Sequence, residues 1–245
     1  MENKDTIIHN IEIIKKRIIR ACEKSNRTPE EVKLLLATKT VPAERIKIAL
    51  NYGYTLIGEN RVQEVKGKGD ELKDTPHQQH FIGHLQTNKI KDLLKYPVTC
   101  IESLDRVGLA ERLDKRLANK GKTIDVLLQI NTSNEESKFG VHPGDAIEFA
   151  RQVAQFQHLK IKGLMTIGLF SAELERVRAC FRLLRDIQQK IQQEDISGVE
   201  MKELSMGMSG DLEVAIEEGA TIVRVGTAIF GERIYPDSYY WNEEK

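Results

Sequence analysis

Eight short apolar runs recur along this chain, separated by stretches of helical amphipathicity, and that alternation restricts the fold more than any other feature. The runs are KLLLATK (33–39), TLIGEN (55–60), QHFIGH (79–84), VTCIES (98–103), DVLLQIN (125–131), IKGLMTI (161–167), KELSMGM (202–208) and TIVRVGT (221–227). Stretches such as VPAERIKIALNYG and ELERVRACFRLLRDIQQKI carry charges on one face and Leu, Ile, Val or Ala on the other. Nearly continuous apolar strands that alternate with helices form parallel sheets covered by those helices. Closing such a sheet gives a single (β/α)8 TIM barrel. A doubly wound open sheet is the alternative, because periodicity does not report closure. Helical stretches that stop at Gly53, Gly121 and Gly219 predict left-handed C-terminal caps.

At 245 residues and 40% hydrophobic, the chain can fill one barrel-sized core, and no Pro-rich or Gly/Ser-rich linker divides it. Residues 1–245 therefore read as one domain. Within it, residues 1–24 form an extra N-terminal helix packed on the barrel and residues 235–245 an aromatic, polar tail. Lys plus Arg and Asp plus Glu both number 37, so no global field favours nucleic acid or an anionic membrane surface. Lys15, Lys16 and Arg17 interrupt the first apolar stretch as no signal peptide would tolerate, and no run approaches the ~20 residues of a membrane span. Cys22, Cys100 and Cys180 are odd in number and far apart, which predicts neither disulfides nor a metal site and fits the cytoplasm.

In a barrel of this kind the C-terminal strand ends converge on one functional face. Here those ends supply Lys39, Glu59-Asn60, Gly83-His84, Met165-Thr166, Ser205 to Ser209, and Arg224 to Thr227. A lone lysine ending a strand reads first as a side chain that snorkels to water. The sharper reading is a Schiff-base lysine, whose amine is exposed for attack on an aldehyde when apolar walls desolvate the ammonium. The companion strands favour the second. Gly226-Thr227 precedes a helical turn that offers backbone N–H groups and a hydroxyl to a phosphate, and SMGMSGD adds further hydroxyls beside it. Arg224 shares the strand face of Gly226 and should point into the mouth, where it needs an anionic partner, or else pairs with Glu203 or another carboxylate.

The segments ATKT, IGENRVQE, HFIGHLQTNK, GLMTI, LSMGMSGD and VRVGTAIFG, in this order, resemble the YggS/PROSC family of pyridoxal 5′-phosphate homeostasis proteins. The resemblance implies a fold-type III, alanine-racemase-like barrel with pyridoxal phosphate covalently bound to Lys39. It further implies phosphate contacts from Ser205, Gly226 and Thr227, with Ser209 and the Met208 backbone nearby, and Arg224 facing the pyridine nitrogen. Asn60 and His84 line the pocket by the same resemblance. Where relatives often carry Ser before the lysine and Lys-Pro after it, this chain has Ala37-Thr38-Lys39-Thr40-Val41-Pro42, which keeps the lysine in register.

Two functions follow from this: a carrier that buffers intracellular vitamin B6 and delivers it to apoenzymes, or a small amino-acid racemase. Racemisation with two bases needs an acid/base on the face opposite the lysine. The resemblance implies that larger racemases take it from a further C-terminal domain, for which this chain leaves no room after its eighth strand. Only Tyr235, Tyr239 and Tyr240 are at hand as substitutes. The expectation is a non-catalytic protein, monomeric or weakly dimeric.

Overall fold

Closure of the sheet is the first result of the structure, a computed structural model that describes residues 2–135, 137–169, 171 and 173–231. The parallel strands are β1 (Lys33–Ala37), β2 (Leu56–Glu59), β3 (Gln78–Phe81), β4 (Val98–Leu104), β5 (Ile124–Gln129), β6 (Leu159–Met165), β7 (Val199–Ser205) and β8 (Ile222–Val225). They pair in sequence order and β8 returns to β1, which removes the open-sheet alternative. Helices α1 (Glu2–Lys24), α2 (Ala43–Asn51), α3 (Val62–Leu72), α4 (Ile90–Leu93), α5 (Val107–Ala118), α6 (Ala146–Ala154), α7 (Leu174–Gln193), α8 (Leu212–Glu217) and α9 (Thr227–Phe230) surround it. None of the described helices is long and apolar enough to cross a membrane.

Seven of the eight strands end earlier than the apolar runs do, β4 alone running on to Leu104. The third stops at Phe81 rather than His84, the seventh at Ser205 rather than Met208, and the eighth at Val225 rather than Thr227. Residues just past the ends remain apolar because they roof the core, as fully buried Met206 does, and in sequence they look like more strand. Gly53, Gly121 and Gly219 do take left-handed φ values of 106°, 59° and 101° after their helices.

Ile7, Ile11, Ile14 and Ile18 recur at helical spacing and are all buried, which seats α1 against α2, α8 and α9. Each such side chain contributes about 1.5–3 kcal/mol relative to exposure. Strand alternation sorts the barrel itself. Leu34 and Leu36 join the large core shared with the helices, whereas Leu35 belongs to a separate cluster with Cys100, Leu127, Met165 and Ile222 inside the barrel. On the same parity, Glu102 follows Cys100, and Arg224 and Gly226 follow Ile222, so polar groups sit above an apolar floor. The residues 235–245, with Tyr235, Tyr239 and Tyr240, lie outside the described residues.

Candidate functional site

At the end of β1 the chain is anchored through Thr38, which is fully buried and faces outward toward α3. Its N–H donates to Gly58 O at 3.0 Å and its hydroxyl to Glu59 Oε1 at 2.7 Å. Its carbonyl accepts from Lys68 Nζ at 2.8 Å, and the same ammonium reaches Glu59 Oε1 at 2.8 Å and Glu64 Oε2 at 2.6 Å. Burial pushes the Glu59 carboxyl above its ordinary value against the pull of Lys68 and Thr38. Lys39 follows, half-buried, and alternation sends it to the inner side before Thr40 turns the chain with φ of 63°. Thus Lys39 follows a buried residue whose N–H, carbonyl and hydroxyl are all hydrogen-bonded.

Arg224 is 5% exposed and points into the barrel, as the face it shares with Gly226 predicts. Its Nη1 donates to Ser205 Oγ at 2.6 Å and its Nη2 to Thr166 O at 2.7 Å. An arginine cannot accept, so Ser205 must accept here and spend its one proton elsewhere. That proton goes to Glu102 Oε2 at 2.5 Å, and Glu102 Oε1 lies 2.6 Å from His80 Nδ1. The direction at Oε2 is thereby fixed, with Ser205 donating and Glu102 accepting, while Oε1 shares its hydrogen bond with His80 Nδ1. Burial alone raises the Glu102 carboxyl, but the His80 hydrogen bond, the His80 and Arg224 charges and the Ser205 hydroxyl outweigh it and hold it below the ordinary value. Burial lowers the Arg224 value, opposed by Glu102 and Asp211.

Two of the expected residues are engaged by other partners. Glu203 does not pair with Arg224; it pairs with Lys33 near the opposite end of the barrel and accepts from Thr221 Oγ1 at 2.7 Å. Ser205, expected at a phosphate, is fully buried, with its hydroxyl committed between Arg224 and Glu102.

The loop after β7 returns to β8 through Arg224 N, which donates to Gly207 O at 3.0 Å. The Met208 N–H, also expected at a phosphate, is taken by Asp211 Oδ1 at 2.5 Å. Ser209 is half-buried and Gly210 exposed in the same loop. Beside them Gly226 packs so closely on β1 that a methyl group there would lie 2.8 Å from the Ala37 carbonyl oxygen. The N–H groups of Ile229 and Phe230 fold back on Gly226 O, both at 2.9 Å, which leaves those of Thr227 and Ala228 ahead of the first bond of the turn. Arg45 Nη2 caps Phe230 O at 2.7 Å and Asn10 Nδ2 caps Ile229 O at 3.0 Å, so α1 and α2 hold this turn in place. Lys39, Ser209, Arg224, Gly226 and Thr227 are therefore carried by three neighbouring strand ends, those of β1, β7 and β8.

Asn60 and His84 belong to a different stretch of the rim, after β2 and β3. Gly83 lies against Asn60 so tightly that a methyl group would be 2.0 Å from the Asn60 carbonyl oxygen. His84 stacks on Phe139 with centroids 3.8 Å apart and planes at 17°, and its Nδ1 is 3.3 Å from Asp105 Oδ2. Sequence reading missed Glu102, His80 and Phe139. For Glu102 a signal existed: an acid with the parity of Cys100 inside a buried strand must be paired.

The sequence profile of the alanine racemase N-terminal domain family matches residues 3–234. A pyridoxal phosphate homeostasis protein of Aquifex aeolicus (strain VF5) is 47% identical over 219 residues, which cover 89% of this chain and 95% of that protein. An unknown protein from Bifidobacterium adolescentis superposes with a TM-score of 0.88 at 39% identity, over 94% of this chain and 96% of that one. PipY of Synechococcus elongatus PCC7942, solved with PLP bound, superposes with a TM-score of 0.77 at 35% identity, covering 88% of this chain and 100% of PipY. With matches of this extent set beside a barrel whose lysine, arginine and glycine turn occupy adjoining strand ends, the chain belongs to the alanine racemase N-terminal domain family and, within it, to the pyridoxal phosphate homeostasis proteins.

Proposed function

We propose that this protein binds pyridoxal 5′-phosphate as a Schiff base on Lys39, buffers it and delivers it to apoenzymes, without catalytic turnover of its own. The observation that carries the reading is the donor set on the adjoining ends of β1, β7 and β8. It fits the cofactor group by group: an amine for the aldehyde, a guanidinium for the ring nitrogen, and hydroxyl and backbone donors for a phosphate dianion. When bound, the cofactor supplies a reactive aldehyde and an electron-accepting ring.

This chain's own residues do the holding. Lys39 makes and breaks the covalent link, on a backbone braced by Thr38 and Lys68. Ser209, Thr227 and the N–H groups of the Gly226 turn donate to the phosphate, while Ser205 acts from behind through Arg224. A guanidinium does not readily surrender a proton, so Arg224 donates a hydrogen bond to the ring nitrogen without protonating it, which leaves the ring a weak electron sink. Asn60 and His84 line the rim on the β2–β3 side. Support for a carrier comes from relatives named for homeostasis rather than for a reaction, and from PLP in the PipY structure. A cytoplasmic monomer or weak dimer suits this role.

The test is an absorption spectrum of the purified protein with pyridoxal phosphate, before and after borohydride, followed by peptide mapping. The expected result is a visible band fixed to the peptide containing Lys39 and absent from Lys39→Ala. Fixation to another lysine in the wild-type protein sinks the assignment.

A further inference from the structure

Four side chains from β3, β4, β7 and β8 form one line across the barrel, with Glu102, Ser205 and Arg224 buried and His80 half-buried at its end. Glu102 and Ser205 belong to strands that are not neighbours in the sheet, so their 2.5 Å bond spans the interior. A buried ion pair is a poor way to gain stability, because well-packed apolar residues fill the same space at least as well. Here Glu102 is 0% and Arg224 5% exposed, and a floor of Leu35, Cys100, Leu127, Met165 and Ile222 shows that this barrel packs apolar layers where it needs only filling. The line is also polarised. The protons of Arg224 and Ser205 point along it toward Glu102, so the carboxylate draws on Arg224 through Ser205, while Thr166 O fixes the other guanidinium nitrogen at 2.7 Å.

We infer that Glu102 and His80 are positioning residues for the ring-nitrogen end of the cofactor, acting on it through Ser205 and Arg224 without touching it. The inference rests on the cofactor reading given above. His80 orients the carboxylate; Glu102 holds Ser205 in the orientation that accepts from Arg224 and supplies the counter-charge. Arg224 is thereby aimed, and its charge balanced, so that it donates to a neutral ring nitrogen.

Selectivity for that nitrogen is the readout, because general loosening of the fold does not produce it. Glu102→Gln, His80→Gln and Ser205→Ala are titrated with pyridoxal phosphate and with its 1-deaza analogue, in which a C–H replaces the ring nitrogen. The expected result is about a 10-fold or greater loss of affinity for pyridoxal phosphate, the scale of one weakened charge-assisted hydrogen bond, with a displaced absorption maximum and little change for the analogue. Ser205→Ala carries the test if Glu102→Gln does not fold. Equal losses for both ligands, or no loss for either, overturn the inference while leaving Lys39 as the attachment point. A wild-type protein that binds neither ligand overturns the cofactor reading and this inference with it.

Discussion

Lys68 Nζ lies 2.8 Å from the carbonyl oxygen of Thr38 and 2.8 Å from Glu59 Oε1, so a largely buried ammonium braces the backbone one residue before Lys39. That ammonium is 12% exposed and the carboxylate 1%. Helix α3 thus reports directly on the end of β1.

Removing one partner of a buried pair leaves an uncompensated charge. Lys68→Met should cost about 3–5 kcal/mol and lower Tm by roughly 6–20 °C in a chain of this size. Adding Glu59→Leu should recover most of the loss, since the carboxyl is then gone. Thermal unfolding of the single and double variants checks this, and a double variant no better than the single would show that the ammonium acts on something other than Glu59.

The strand-end donors make a separate prediction. Ser209→Ala with Thr227→Val should weaken pyridoxal phosphate binding, each lost hydrogen bond to a dianion contributing about 1.5–3 kcal/mol, and should leave pyridoxal binding nearly unchanged. Titration with both ligands separates the two. Equal losses would place the phosphate elsewhere.

How far the sequence disclosed this arrangement depends on what each residue faces. Strands buried on both sides keep an apolar signature, so all of them were legible, and the parity shared with Gly226 set Arg224 toward the mouth. Strand ends were overrun because roofing residues such as Met206 are as apolar as the strand they follow. Ser205 is harder to read for a different reason. A hydroxyl at a strand end looks the same in sequence whether it meets a ligand or a buried acid, and here the acid is 103 residues away. The Met208 N–H donates to Asp211 through a local turn that no spacing argument reveals.

Glu102 should mark the acid limb of the stability profile. Its folded-state value lies below the ordinary glutamate value of about 4.3, so the stability it contributes is complete above that value and is lost as pH falls through the folded-state value. Glu102→Gln should therefore be less stable than wild type at neutral pH, with the gap narrowing as the pH falls through the folded-state value. Urea unfolding at a series of pH values measures the gap. A gap that stays constant through the acid range would mean that the carboxylate gains nothing from His80, Ser205 and Arg224.

The distinction between carrier and enzyme is settled by following a proton. If no positioned acid or base serves the face opposite Lys39, alanine of either hand should exchange its α-hydrogen for deuterium only slowly, because general acid–base assistance supplies about 10²–10⁴-fold. His84 is the titratable ring on the described rim that invites the opposite reading, yet it is stacked at 3.8 Å on Phe139 and held beside Asp105. His84→Gln should then leave the slow exchange unchanged, and so should replacing Tyr235, Tyr239 and Tyr240 by Phe. Proton NMR of L- and D-alanine in deuterium oxide with the loaded protein reads the exchange, and chiral chromatography reads inversion. Many turnovers of inversion, abolished by one of these substitutions, would make the protein a racemase; retention of configuration with intact visible absorbance is the outcome expected of a carrier that holds its ligand reversibly.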